Sequence, residues 1–126
     1  MKYAFSFILI FVSFVVSAAA QQSKFIETNE VRLHYLEFGK GAETIVLTHG
    51  LSDTAEVWTK FAPLLAKNYR VIAPDRRGLG KSRKTKSGYS LKVFADDIKL
   101  LLDSLRLEKV HLIGHSFGGN IAMTFA

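Results

Sequence analysis

The residue order predicts an α/β fold, a mostly parallel sheet flanked by helices, from a few observations. Short β-branched apolar runs recur at Thr44–Thr48, Arg70–Ala73 and Val110–Ile113. Helical periodicity fills the stretches between them. Each run also ends in a segment rich in glycine and reactive side chains, and an α/β sheet gathers its chemistry at the carboxyl ends of its strands.

Each element has a local reason. Phe25–Glu27 and Val31–Phe38 read as two short strands around the turn-forming Thr28-Asn29-Glu30, and Gly39-Lys40-Gly41 closes another turn. The three β-branched runs barely alternate with polar residues, as expected of strands covered on both faces. Val57, Trp58, Phe61, Leu64 and Leu65 recur at helical spacing, with Asp53 and Glu56 spaced as a capping box. Pro63 within that stretch implies either a kink or a short turn followed by a helix beginning there. Leu91, Phe94, Ala95, Ile98, Leu101, Leu102 and Leu105 form one apolar stripe behind Ser90 as N-cap. On this helix Asp96 and Asp97 are expected to be exposed. Strand–helix–strand connections of these lengths imply right-handed crossovers.

Residues 1–20 are set apart from this pattern. Met1 and Lys2 precede an apolar core around Ala4–Val16, and Ala18-Ala19-Ala20 leads into polar Gln21-Gln22. The segment reads as a secretory signal cleaved after Ala20, which predicts a secreted or periplasmic protein. The alternative is an uncleaved N-terminal anchor. Residues 21–126 then form the folded part, and no further apolar stretch reaches the roughly 20 residues of a membrane span.

Composition narrows the function. With 48% hydrophobic and 22% charged residues the 126-residue chain is neither disordered nor a fibrous repeat. Cysteine is absent, which removes a thiol nucleophile, a cysteine-based metal site and a disulfide framework. The net charge of +6 is concentrated in Arg76, Arg77, Lys81, Arg83, Lys84 and Lys86. That run lacks interleaved aromatics and any nucleic-acid motif, so it is read as a solvated loop, with no nucleic-acid partner.

The strand ends carry the chemistry. Gly114-His115-Ser116-Phe117-Gly118-Gly119 follows Val110–Ile113 and precedes an apolar helix start. This is G-x-S-x-G between strand and helix. A serine on so sharp a turn has strained backbone angles, and glycines at 114 and 118 remove Cβ atoms that would clash. The Ser116 hydroxyl then stands clear of the sheet at a helix N-terminus, whose dipole favours developing negative charge. A dinucleotide fingerprint would need glycine at position 116. At His49-Gly50-Leu51 the backbone N–H of Leu51 is placed to meet the oxygen of a tetrahedral intermediate, with the N–H of Phe117 as its partner. His49 is read as a loop-holding hydrogen-bonder. Gly80-Lys81-Ser82 resembles the end of a phosphate loop, but Asp75 occupies the place of that motif's first glycine and would repel phosphate. Asp75 and Arg76 are therefore read as braces of a loop near the sheet edge.

Through His49-Gly50-Leu51, Trp58 with Pro63, Pro74-Asp75-Arg76-Arg77-Gly78-Leu79-Gly80-Lys81-Ser82 and the segment from Gly114 to Gly119, the chain resembles the α/β-hydrolase family. The likeness is to its serine esterase, lipase and peptidase branch, and it runs from about Phe25 to Ala126. The resemblance implies that Ser116 is the nucleophile, that the Leu51 and Phe117 amides form the oxyanion hole, and that no metal or organic cofactor is needed. It sets aside epoxide hydrolases and haloalkane dehalogenases, which use aspartate where Ser116 stands.

A serine needs a base and an acid to orient that base, and in this family both follow the nucleophile. No aspartate, glutamate or histidine occurs in Phe117–Ala126. His115 occupies the variable position of the elbow, its side chain expected to point away from the reaction. His111 is expected to be buried in the last strand, and Asp75, Asp96 and Asp97 precede Ser116. The expectation is therefore the N-terminal half of an α/β-hydrolase fold, truncated after the elbow helix and lacking turnover by itself. Its implied partner is a small-molecule acyl substrate, with no membrane contact beyond export. Ester hydrolysis is the first expectation; amide cleavage and cofactor-free peroxidase chemistry share the same motifs. A non-catalytic small-ligand-binding protein on the same fold is the alternative.

Overall fold

Backbone pairing in the computed structural model, which describes residues 20–126, joins five strands into one sheet. They are β1 (Gln22–Glu27), β2 (Arg32–Phe38), β3 (Thr44–Thr48), β4 (Arg70–Pro74) and β5 (His111–Gly114), in the spatial order β1-β2-β4-β3-β5. The predicted secretory signal lies, apart from Ala20, outside the described residues. β3 pairs in parallel with β4 and β5, whereas β2 is antiparallel to both β1 and β4. The sheet is thus mixed: four strands point one way and β2 runs against them. The short turn at Thr28–Val31 reverses the chain, and Thr28 closes it by donating from Oγ1 to the Val31 carbonyl at 2.9 Å.

Side-chain alternation divides the core between the two faces of the sheet. Leu33 and Tyr35 of β2, Val46 of β3 and Ile72 of β4 pack on one face against α2 (Leu91–Ser104) and α3 (Phe117–Phe125). Leu36, Phe38, Ile45, Leu47, Val71 and Ala73 fill the other face. That face is covered by a 3-10 turn (Ala55–Trp58) and the short helix α1 (Ala62–Leu65). β3 and β4 are buried on both faces, as their unalternating sequences require. β5 is an edge strand, and its residues alternate between exposed and partly buried.

Several local expectations are corrected. The cap before the 3-10 turn is Thr54, whose side chain accepts from the Glu56 N–H; Asp53 does not form the capping box. Of the two readings of Pro63, the structure takes the second: a short turn comes first, and Pro63 lies in the first turn of α1, where its missing N–H costs no helix bond. Ser90 caps α2 as its spacing implies, accepting from the Val93 N–H. Asp97 is buried, not exposed, and binds Arg77 through Nε at 2.7 Å and Nη2 at 2.5 Å. His111 is exposed rather than buried, because β5 has no outer neighbour, and its Nε2 lies 2.7 Å from Glu43. The basic stretch is not uniformly solvated either, since Arg77 and Ser82 are buried.

Candidate active site

The turn between β5 and α3 holds Ser116 at φ 52°, ψ −120°, one of two non-glycine residues with positive φ among the described residues. Such a conformation costs about 1–3 kcal/mol and persists only where its surroundings impose it. Here three backbone bonds do so. The His115 N–H donates to the Thr48 carbonyl at 3.0 Å, Gly118 to His115 at 2.9 Å, and Gly119 to Ser116 at 2.8 Å. A Cβ on Gly114 would overlap the Gly118 carbonyl, and one on Gly118 would overlap the carbonyls of Thr48 and His49. The second glycine is therefore required by the approach of α3 to β3, a contact that the local turn does not reveal. Thr48 Oγ1 seals that approach by donating to the Gly118 carbonyl at 2.9 Å. Gly119 has room for a Cβ and is not required on steric grounds. Ser116 and His115 are both exposed.

β3 and β5 pair with Thr48 opposite Gly114. Leu51 and Phe117 each lie three residues beyond these matched strand ends, so both proposed oxyanion donors leave the sheet on the same side. His49 is buried. Its Nδ1 donates to the Gly50 carbonyl at 2.9 Å, and its Nε2 accepts from the Arg76 N–H at 3.1 Å. Both ring nitrogens are thus committed to backbone, and the accepting Nε2 requires a neutral ring. Burial holds this imidazole below its ordinary value, against the pull of the Gly50 carbonyl.

Arg76 ties the two parts of the site together. Its Nη2 donates to the Leu51 carbonyl. Its guanidinium carbon lies 4.8 Å from the Phe117 ring centre and 4.9 Å from that of Phe94, within cation–π range. Leu51, Arg76, Tyr89, Phe94 and Phe117 line an open cleft of about 270 Å³.

Asp75 lies deeper and is fully engaged. Its Oδ1 accepts from the Ala55 N–H at 2.7 Å, and its Oδ2 accepts from the Lys81 N–H at 2.9 Å and lies 2.7 Å from His34 Nδ1. Gly80, at φ 52°, lets the loop fold over this carboxylate, where a Cβ would collide with it. Ser82, which in sequence suggested a phosphate loop, donates to the Asp75 carbonyl at 2.6 Å and accepts from the His34 N–H at 2.9 Å. The roles of Arg77, Asp97 and His34 are not visible in the motifs, because their partners lie 20 to 41 positions away. Burial pushes the Asp97 carboxyl up while its bonds to Arg77 pull it down, and the same bonds hold the Arg77 guanidinium up. The two-pronged geometry needs a carboxylate accepting from both N–H groups, so the pair is ionised. Among the described residues no cluster of three His, Cys, Asp or Glu side chains is arranged to hold a metal ion.

With a strained serine between strand and helix on a mixed α/β sheet, the chain belongs to the α/β-hydrolase fold family, whose pattern matches residues 43–126. A soluble epoxide hydrolase of Corynebacterium sp. (strain C12) is 41% identical over 98 residues, covering 78% of this chain and 34% of that protein. A 2-hydroxy-6-oxononadienedioate/2-hydroxy-6-oxononatrienedioate hydrolase of Paraburkholderia xenovorans (strain LB400) is 42% identical over 116 residues, covering 85% and 40%. The crystal structure of epoxide hydrolase A from Mycobacterium thermoresistibile superposes with a TM-score of 0.79 at 33% identity, covering 84% of this chain and 34% of that one. The chain thus spans about a third to two-fifths of the length of these relatives. Epoxide hydrolases, set aside on the residue at position 116, are nevertheless similar over this segment.

Proposed function

We propose that this chain carries the nucleophile and oxyanion hole of a secreted serine hydrolase acting on carboxylic esters. The observation that carries the reading is Ser116, exposed at a strained φ of 52° at the head of α3. Its Oγ attacks the substrate carbonyl. The Leu51 and Phe117 amides, aided by the α3 dipole, stabilise the resulting oxyanion, and water later releases the acyl group. The base that takes the Ser116 proton, and the acid that orients it, come from outside these 126 residues. Serine also argues against epoxide opening. Its attack on an epoxide carbon would leave an ether, which water does not cleave as it cleaves the ester formed by a carboxylate.

A ketone carbonyl is a second acceptable target, favoured by the 42% identity to a hydrolase named for a 6-oxo dienedioate. The same serine and the same oxyanion donors serve both substrates.

A fluorophosphonate probe applied to the full-length protein tests the proposal, with the adduct mapped by peptide mass. Rapid labelling of Ser116, lost in Ser116→Ala along with turnover of a p-nitrophenyl ester, is expected. A full-length protein whose Ser116 stays unlabelled would instead be a ligand-binding member of the family.

A further inference from the structure

Apart from Ser116, the structure joins a second serine to a histidine and a carboxylate. Ser23 on β1 is exposed, and its Oγ lies 2.7 Å from His34 Nε2. The other ring nitrogen, Nδ1, lies 2.7 Å from Asp75 Oδ2. His34 and Asp75 are 1% and 3% exposed. This is the connectivity of a nucleophile, its base and the acid that orients the base.

The backbone holds all three in place. β1 and β2 pair with Ser23 opposite Leu36, so His34, two residues from Leu36, is the diagonal neighbour of Ser23 on the same face. Across the sheet the Asp75 N–H donates to the His34 carbonyl at 2.9 Å. The Asp75 carboxylate is also fixed by the Ala55 and Lys81 amides, as above. A carboxylate only accepts, so Nδ1 carries the ring proton. With the ring neutral, the Nε2 lone pair faces Ser23 and accepts from its O–H. The Phe25 ring, 5.0 Å from the His34 ring and capped by Arg32 at 3.9 Å, covers the imidazole beside Ser23.

We propose that Ser23 is a second activated nucleophile, with His34 as its general base and Asp75 as the positioning residue. It takes small, reactive acyl or phosphonyl donors. With a fluorophosphonate, a Ser23 Oγ–P bond forms, the proton passes to His34 Nε2, and the P–F bond breaks as fluoride leaves with its electron pair. With an activated ester, Oγ bonds to the acyl carbon and the leaving oxygen recovers the proton from His34. A histidine that is merely satisfied by two neighbours would leave Ser23 as inert as any surface serine.

The test uses Ser116→Ala in the full chain, so that the first site is silent whether or not its own assignment holds. Fluorophosphonate is expected to label the peptide containing Ser23, and His34→Gln to slow that labelling by about 100-fold. Because His34 is buried and its variant can misfold, Ser23→Cys provides a second measurement. Residues 1–126 have no other cysteine, and with the alkylated peptide mapped by mass the rate of iodoacetamide modification at position 23 reports this thiol. Its titration is expected well below the ordinary value of about 8.5. Absence of label on Ser23, or a thiol titrating at the ordinary value, overturns the proposal.

Discussion

Ser116 pays in conformational strain for its exposure, and that trade can be measured. Ser116→Gly relieves the positive φ and is expected to raise stability by about 1 kcal/mol. Ser116→Ala abolishes labelling at position 116 without that gain. Chemical denaturation of the two variants separates them, and equal stabilities would show that the turn is not strained. Gly118→Ala is expected to act oppositely, because its methyl meets the Thr48 carbonyl. A loss of about 1–3 kcal/mol together with slower Ser116 labelling is the expected outcome. His49 adds a pH dependence. Burial depresses its folded value, so the unfolded chain takes up the proton first as pH falls. Its contribution is complete above about pH 6.5 and declines as the pH drops from there toward the lowered folded value. Urea midpoints across that window should fall less steeply in His49→Gln than in the unaltered chain.

Between elements, two neighbouring arginines do different work. Arg77 anchors the loop after β4 to α2 through a buried ion pair with Asp97. Asp97→Asn leaves a buried guanidinium without its countercharge and should cost about 3–5 kcal/mol in a denaturation midpoint. Arg76 instead spans Leu51 and Phe117, the two residues proposed to supply the oxyanion donors. Arg76→Met should leave the midpoint nearly unchanged while slowing Ser116 labelling by about 10-fold or more, since small misplacements of such donors are costly. A parallel fall in stability and labelling would make Arg76 a simple brace. In sequence these arginines are adjacent members of one basic run and cannot be told apart. The helices and strands were far more legible, because periodicity and Ser90 declare α2 locally, and β3 and β4 announce their burial by failing to alternate. The pieces around Pro63 and the Thr54 cap were less so, since competing caps within a few residues differ by only about 1 kcal/mol.

At the scale of the molecule, the middle of the sheet is better covered than its β5 edge. β3 and β4 are enclosed, but β5 is an edge strand with Ile113 39% exposed, and Met123 on the neighbouring α3 is 73% exposed. Unpaired strand edges with apolar neighbours recruit other chains. The 126-residue chain made alone is therefore expected to self-associate with rising concentration in sedimentation velocity. A monomer at every concentration would show that the edge is protected.

Local sequence determined the order of strands and helices and the glycine-flanked serine at the head of α3. These depend on neighbours in the chain: a period of two or near four, a cap, or a turn that only glycine tolerates. Tertiary structure decided which side chains meet. It placed Gly118 against Thr48, committed both nitrogens of His49 to backbone, buried Asp97 against Arg77 and set Arg76 between Leu51 and Phe117. It also joined Ser23, His34 and Asp75, residues 11 and 41 positions apart in sequence. No spacing rule predicts such contacts, because strand register and sheet order set their distances.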